Sequence, residues 1–138
     1  MTFDLTQLDT RTKSAAGVPM TIINPKTGGP VLDSDGNPVT ITLRGRNSQE
    51  HKNVFRVIQD RRLDRAARGV RLTEDEQRQE EAEFLTALTV DWTFTELDGQ
   101  PFPPTAENFR KFWIDERFTW ILEQATRFAA NDGNFLAT

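Results

Sequence analysis

The chain has 138 residues, 36% of them hydrophobic and 28% charged, with 17 basic side chains against 21 acidic ones and no cysteine. That length predicts one domain, able to bury about two-thirds of the surface its unfolded chain exposes. Without cysteine there is no disulfide framework, thiolate nucleophile or cysteine metal site, and the acidic surplus argues against a polycation built for nucleic acid.

No stretch approaches the roughly 18–20 consecutive apolar residues of a membrane span. Met1 to Thr10 has no basic run leading into an apolar one, so no secretory leader is expected there. The expectation is a protein of a cytoplasmic compartment, or of a particle assembled in one. Its domain, 1–138, reads as a flexible segment over 1–19, a β element over 20–46 and a helical part over 47–138.

The first twenty residues are polar, with Ala15-Ala16-Gly17-Val18-Pro19 expected as a flexible link. Met20 to Ile23 and Val39 to Leu43 are short β-branched runs. Between them, Pro25-Lys26-Thr27-Gly28-Gly29 and Asp35-Gly36-Asn37-Pro38 carry turn chemistry, proline presetting φ and glycine or asparagine accepting positive φ. Two or three short strands in a small hairpin or meander follow, and so short a ribbon must pack on something else.

From Asn47 the periodicity becomes helical. Asn47 or Ser48 caps a helix running to about Ala67, with Gly69 near its end. Its apolar residues Val54, Phe55, Val57 and Ile58 are expected to form one narrow stripe, and Arg56–Asp60 and Asp64–Arg68 an i,i+4 ladder. Thr73 and Glu76 form a capping box for the next helix. The first two turns there, Glu74 to Glu81, contain no apolar side chain and must be solvated.

Asp91 to Phe94 and Leu97 to Pro104 read as a proline-bounded loop. Thr105 then caps a third helix with Phe109, Phe112 and Trp113 on one face. After a break at Asp115-Glu116, Phe118, Ile121, Leu122, Ala125, Phe128 and Ala129 continue that face to Asn131. The predicted fold is mainly α (α+β), about four helices with a small N-terminal β-hairpin or meander.

Chemistry is sparse. Asp33-Ser34-Asp35-Gly36-Asn37 resembles a calcium loop in composition, but with Gly36 at the sixth position Val31 and Thr42 stand where ligands are needed. A hairpin turn explains the same residues. The one histidine, His51, is expected to be exposed in a first helical turn, with no orienting acid and nucleophile converging on it. Ser14, Ser34 and Ser48 do not sit in strand–turn–helix elbows, and Gly28-Gly29 lacks the Lys-Ser/Thr of a phosphate loop. The acids from Glu74 to Glu83 have no histidine partner for a metal pair. The reading is therefore non-enzymatic, with no catalytic, cofactor-binding or metal residues and no cofactor.

Nine basic residues lie between Arg44 and Arg71, and six acids between Glu74 and Glu83. A basic helix can neutralise phosphates. The adjacent acidic helix would repel them, and an αα-hairpin with its two charged arms facing each other accounts for both runs. Nucleic-acid binding through residues 44–71 is thus the weaker reading.

Eleven of the thirteen Phe and Trp residues lie at or beyond Phe84. Most must form core, yet Phe118 and Trp120 stand about 200° apart around a helix axis, so bulky rings occupy more than one face. Exposed rings mark partner surfaces. Trp92, Phe94, Phe112, Trp113 and Trp120 are the candidates for partner binding, with Phe112 and Trp113 also at helical core spacing.

The order of these pieces resembles the small tail assembly chaperones of long-tailed, siphophage-like bacteriophages and prophages. The resemblance runs through the opening Asp4 to Thr10, then Pro25-x-Thr27-Gly28 and Asp35-Gly36-x-Pro38 ahead of Ile41-x-Leu43. It continues in the basic helix, an acidic helix ending in Thr89-x-Asp91-Trp92, Phe102-Pro103, Glu107-Asn108, Glu123-Gln124 and Asn134-Phe135. It implies a mainly helical, non-enzymatic chaperone in the host cytoplasm that is missing from the mature virion. Its implied partners are the tape measure protein, kept from aggregating, and the tail tube protein, brought to it; homo-oligomerisation stays open and no membrane is involved. The alternative is a structural virion protein of the tail or head–tail connection.

Overall fold

The computed structural model describes residues 2–137. Among them are five α-helices and a three-stranded antiparallel sheet, a mainly α (α+β) architecture. The strands are β1 (Val18–Thr21), β2 (Thr40–Leu43) and β3 (Thr89–Trp92), in that spatial order. Met20 pairs with Ile41, and Ile41 pairs on its other side with Trp92. Alternate side chains of a strand point to one face, so Met20, Ile41, Leu43 and Trp92 all enter the core.

Two expectations change here. Residues 1–19 are not an irregular segment where described: a 3-10 turn (Leu5–Leu8) leads into helix α1 (Arg11–Ala16), and Ser14 is buried. Gly45 comes so close to Ser14 and Phe135 that both ends of the chain are anchored at one point. Asp91 and Trp92, expected in a loop, belong to β3, because Trp92 is β-prone and finds the free edge of β2. The two-residue turn Asp98-Gly99 then closes a hairpin of β4 (Glu96–Leu97) and β5 (Gln100–Pro101), with φ of 53° and 75° at its centre.

The chain between β1 and β2 folds as a meander. Asp33 accepts hydrogen bonds from the backbone N–H groups of Asp35 and Asn37, 2.9 Å each, making the turn expected of this run. Val31 lies between Ile22 and Val39 through backbone hydrogen bonds of 2.9 and 2.8 Å.

The long helices follow their capping residues. Helix α2 (Gln49–Arg68) starts at Ser48, whose Oγ accepts from His51 N–H at 3.2 Å, and ends at Gly69 in the left-handed region. Helix α3 (Glu74–Leu88) opens on the complete Thr73–Glu76 capping box. Helix α4 (Ala106–Ile114) is capped by Thr105; after a 3-10 turn at Glu116–Phe118 comes α5 (Thr119–Ala130), followed by a C-terminal 3-10 turn (Asp132–Phe135). The core gathers Met20, Ile41, Leu85, Leu88, Phe112, Trp113, Leu122 and Ala125 from sheet and helices alike. Helix α2 stands apart from it. Only Ile58 is buried along its 20 residues, and it packs chiefly on α3.

Candidate functional site

The five rings singled out from the sequence divide into core and margin. Trp92 is 4% exposed, Phe112 3% and Trp113 2%, so none of these three forms a partner surface in this fold. Pairing of β3 with β2 turns Trp92 inward, where it meets the Phe109–Phe112 face of α4. Its indole N–H donates to the Phe102 carbonyl at 3.1 Å, and Trp113 donates to Thr89 Oγ1 at 2.9 Å. Buried indoles need such acceptors, and both have one. Phe94 stacks on Trp92 at 4.4 Å and is half-buried; Trp120 is half-buried against the same core. Those two alone of the five retain surface.

The broadly exposed apolar side chains lie elsewhere. On α2 they are Phe55, Val57 and Leu63, followed by Val70 beyond its end, each between 46% and 62% exposed. The expectation of a single apolar stripe on this helix is corrected. At 100° per residue Phe55 and Val57 are about 200° apart, so one face cannot bury both. That angular spread is the sequence signal that identifies them. Phe3, Leu5 and Leu8 are exposed on the N-terminal turn.

Charge organises the α2–α3 hairpin. Arg61 grips Glu83 through two nitrogens at 2.6 and 3.1 Å. Glu80 lies almost buried between Arg62 and Arg65, 3.2 Å from each. The facing basic and acidic arms are thus real ion pairs, and Asp64–Arg68 forms as well, whereas Arg56–Asp60 does not appear among the described pairs. Lys52, Arg56 and Arg71 make no ion pair among the described residues.

On one flank of the hairpin two adjoining cavities share Arg62. The first, about 250 Å³, is lined mainly by apolar side chains of α2, α3 and α5, among them Phe55, Ile58, Phe84 and Ala129. The second, about 510 Å³, runs past Arg65 and Ala66 to Val70, Arg71 and Leu72 at the hairpin tip. His51, expected to be exposed, is half-buried at the closed end, its ring edge-on to Phe84 at 4.7 Å and stacked over Phe55 at 6.2 Å. Burial, and secondarily Arg46, holds its pKa below the usual imidazole value. A larger cavity, about 650 Å³, lies between α2, α3 and α4 at Arg61, Arg78 and Arg110. Its charges are largely committed, Arg61 to Glu83 and Arg78 to the Ile114 carbonyl and Glu116.

Among the described residues no three or more His, Asp or Glu side chains converge as a metal-binding set. No described helix is long and apolar enough to cross a membrane. No family, no characterised protein and no solved structure was found to match the chain.

Proposed function

We propose that this chain is a non-enzymatic tail assembly chaperone of a long-tailed bacteriophage, binding the tape measure protein and recruiting tail tube subunits in the host cytoplasm. The order of residues that resembles that group supports the reading. The observation that carries it is α2: a helix of 20 residues with one buried side chain, bearing exposed Phe55, Val57 and Leu63. An unfinished tape measure chain presents apolar helical stripes, and a helix with exposed apolar side chains beside a groove is the kind of surface that receives them. Phe94 and Trp120 remain as a second, smaller contact.

The test is an affinity pull-down of the tagged protein from phage-producing cells, washed at high salt, with the recovered chains identified by mass. A very long helical protein, with or without tube subunits, is the expected catch. Recovery of head or tail shell proteins, and abundance of this chain in finished particles, supports the structural alternative, which draws on the exposed Phe3, Leu5 and Leu8. Nucleic acid at low salt and nothing after the wash supports the basic segment instead.

A further inference from the structure

We infer that the flank of the α2–α3 hairpin is a groove for one amphipathic helix of another protein, and that Arg62 selects a helix with a carboxylate at the centre of its apolar face. The inference names the surface used by the client of the chaperone reading and rests on that reading for the source of the helix.

Four observations converge on it. The two adjoining cavities run from Phe55 to Val70, a stretch of α2 and its end about 22 Å long, or about four turns of a bound helix. Their ends are apolar, Phe55, Phe84 and Ala129 at one and Val70 and Leu72 at the other. Between them Arg62 lines both. It engages Glu80 through Nε alone, its side chain is 57% exposed, and its two terminal nitrogens make no hydrogen bond among the described residues.

Two free nitrogens of one guanidinium are the geometry that receives a carboxylate bidentately. The groove is cationic, with Arg62, Arg65 and Arg71 against the single Glu80, in a chain that is acidic as a whole. A complementary partner is therefore acidic where it crosses Arg62 and apolar about two turns to either side. This chain's own N-terminal segment carries Asp4 among Phe3, Leu5 and Leu8, but its helical turn spans four residues, too short to fill the groove, and those side chains are exposed.

The test uses the full chain and a fluorescent helical peptide of about 20 residues, leucines along one face and one central glutamate, read by anisotropy. Companion peptides carry glutamine or lysine at the centre. The glutamate peptide is expected to bind about tenfold tighter than the glutamine one, the worth of a charge-assisted pair, and the lysine peptide weakest. Arg62→Gln should equalise the glutamate and glutamine peptides. Ala66→Glu, on an exposed helical position inside the groove, should repel the glutamate peptide while the melting curve stays that of the parent; Phe55→Ala should weaken all three alike.

Retained discrimination in Arg62→Gln, unchanged binding in Ala66→Glu, or no peptide binding at all overturns the inference. So does self-association abolished by Phe55→Ala, which would put a second copy in the groove, or tighter peptide binding after deletion of residues 1–9. The pull-down separates the two claims. Recovery of the long protein by both the parent and Ala66→Glu overturns the groove and keeps the chaperone; peptide discrimination without such recovery keeps the groove and removes the chaperone.

Discussion

Gly45 shows how a single position joins distant parts of the chain. A Cβ built there would sit 2.4 Å from Ser14 Oγ and 2.9 Å from the Phe135 ring, both of which are buried. Gly45→Ala must therefore push apart α1, the β2–α2 turn and the C-terminal 3-10 turn. The expected cost is about 1–3 kcal/mol, the range for overpacking a filled site, read as a lower urea midpoint; an unchanged midpoint would show that this junction is loose. His51 makes a different prediction. Its folded pKa is lowered by burial, then by Arg46, so the folded state resists the proton that the unfolded chain accepts. Stability should then decline as pH falls below about 6.5 and level off once folded His51 itself titrates. His51→Gln should flatten that part of the pH–stability curve, and an unaltered slope would assign it to another group.

At the scale of elements, the outer half of the α2–α3 hairpin is joined by ion pairs, while its inner half shares the apolar core through Leu85 and Leu88. Over the second half of α2 only Arg65 is shielded from solvent, and the first two turns of α3 are exposed apart from Arg78, Glu80 and Glu81. Glu80, 8% exposed between two arginines, is the buried link between the arms, beside the exposed Arg61–Glu83 pair. Glu80→Gln keeps the shape and removes the charge. With Arg62 open to solvent its effect should be modest, about 1–2 kcal/mol, and should shrink in high salt. Amide exchange in the outer hairpin should accelerate in that variant while Leu85 to Trp92 stays protected. Equal acceleration in both regions would mean the hairpin and core open together.

Over the whole molecule, one glutamine ties the N-terminal meander to the last helix. Gln124 accepts from Ile23 N–H at 2.9 Å and donates to the Ile23 carbonyl at 2.7 Å, as a neighbouring strand would. The meander also reaches the core through buried Ile22, with Val31 and Val39 packed beside it, while its turns are exposed and its strand-like contacts are isolated bridges. Gln124→Ala should cost about 1–2 kcal/mol for the two hydrogen bonds and raise exchange at Ile22, Ile23 and Val31. The helical core should keep its protection; if it does not, the meander is integral to the global folding unit. The sheet, the C-terminal half of α3, α4 and α5 share one core, and α2 lies against its edge.

Local events follow from the order of residues alone. Ser48, Thr73 and Thr105 start their helices because a side-chain oxygen satisfies an end amide within three residues, and Gly69 ends α2 because it accepts positive φ. The charged arms of the hairpin were legible for the same reason, their partners being close along the chain. Which rings are buried was decided only by tertiary structure. Trp92 is inside because β2, far away in sequence, offers it an edge, and Phe112 and Trp113 are inside because α4 closes over that strand. Phe55 and Leu63 are outside because α2 packs chiefly on one neighbour, α3, and a helix packed on one side can shield only one stripe. Burial is a property of what covers a side chain, which a local pattern narrows and the packed neighbours decide.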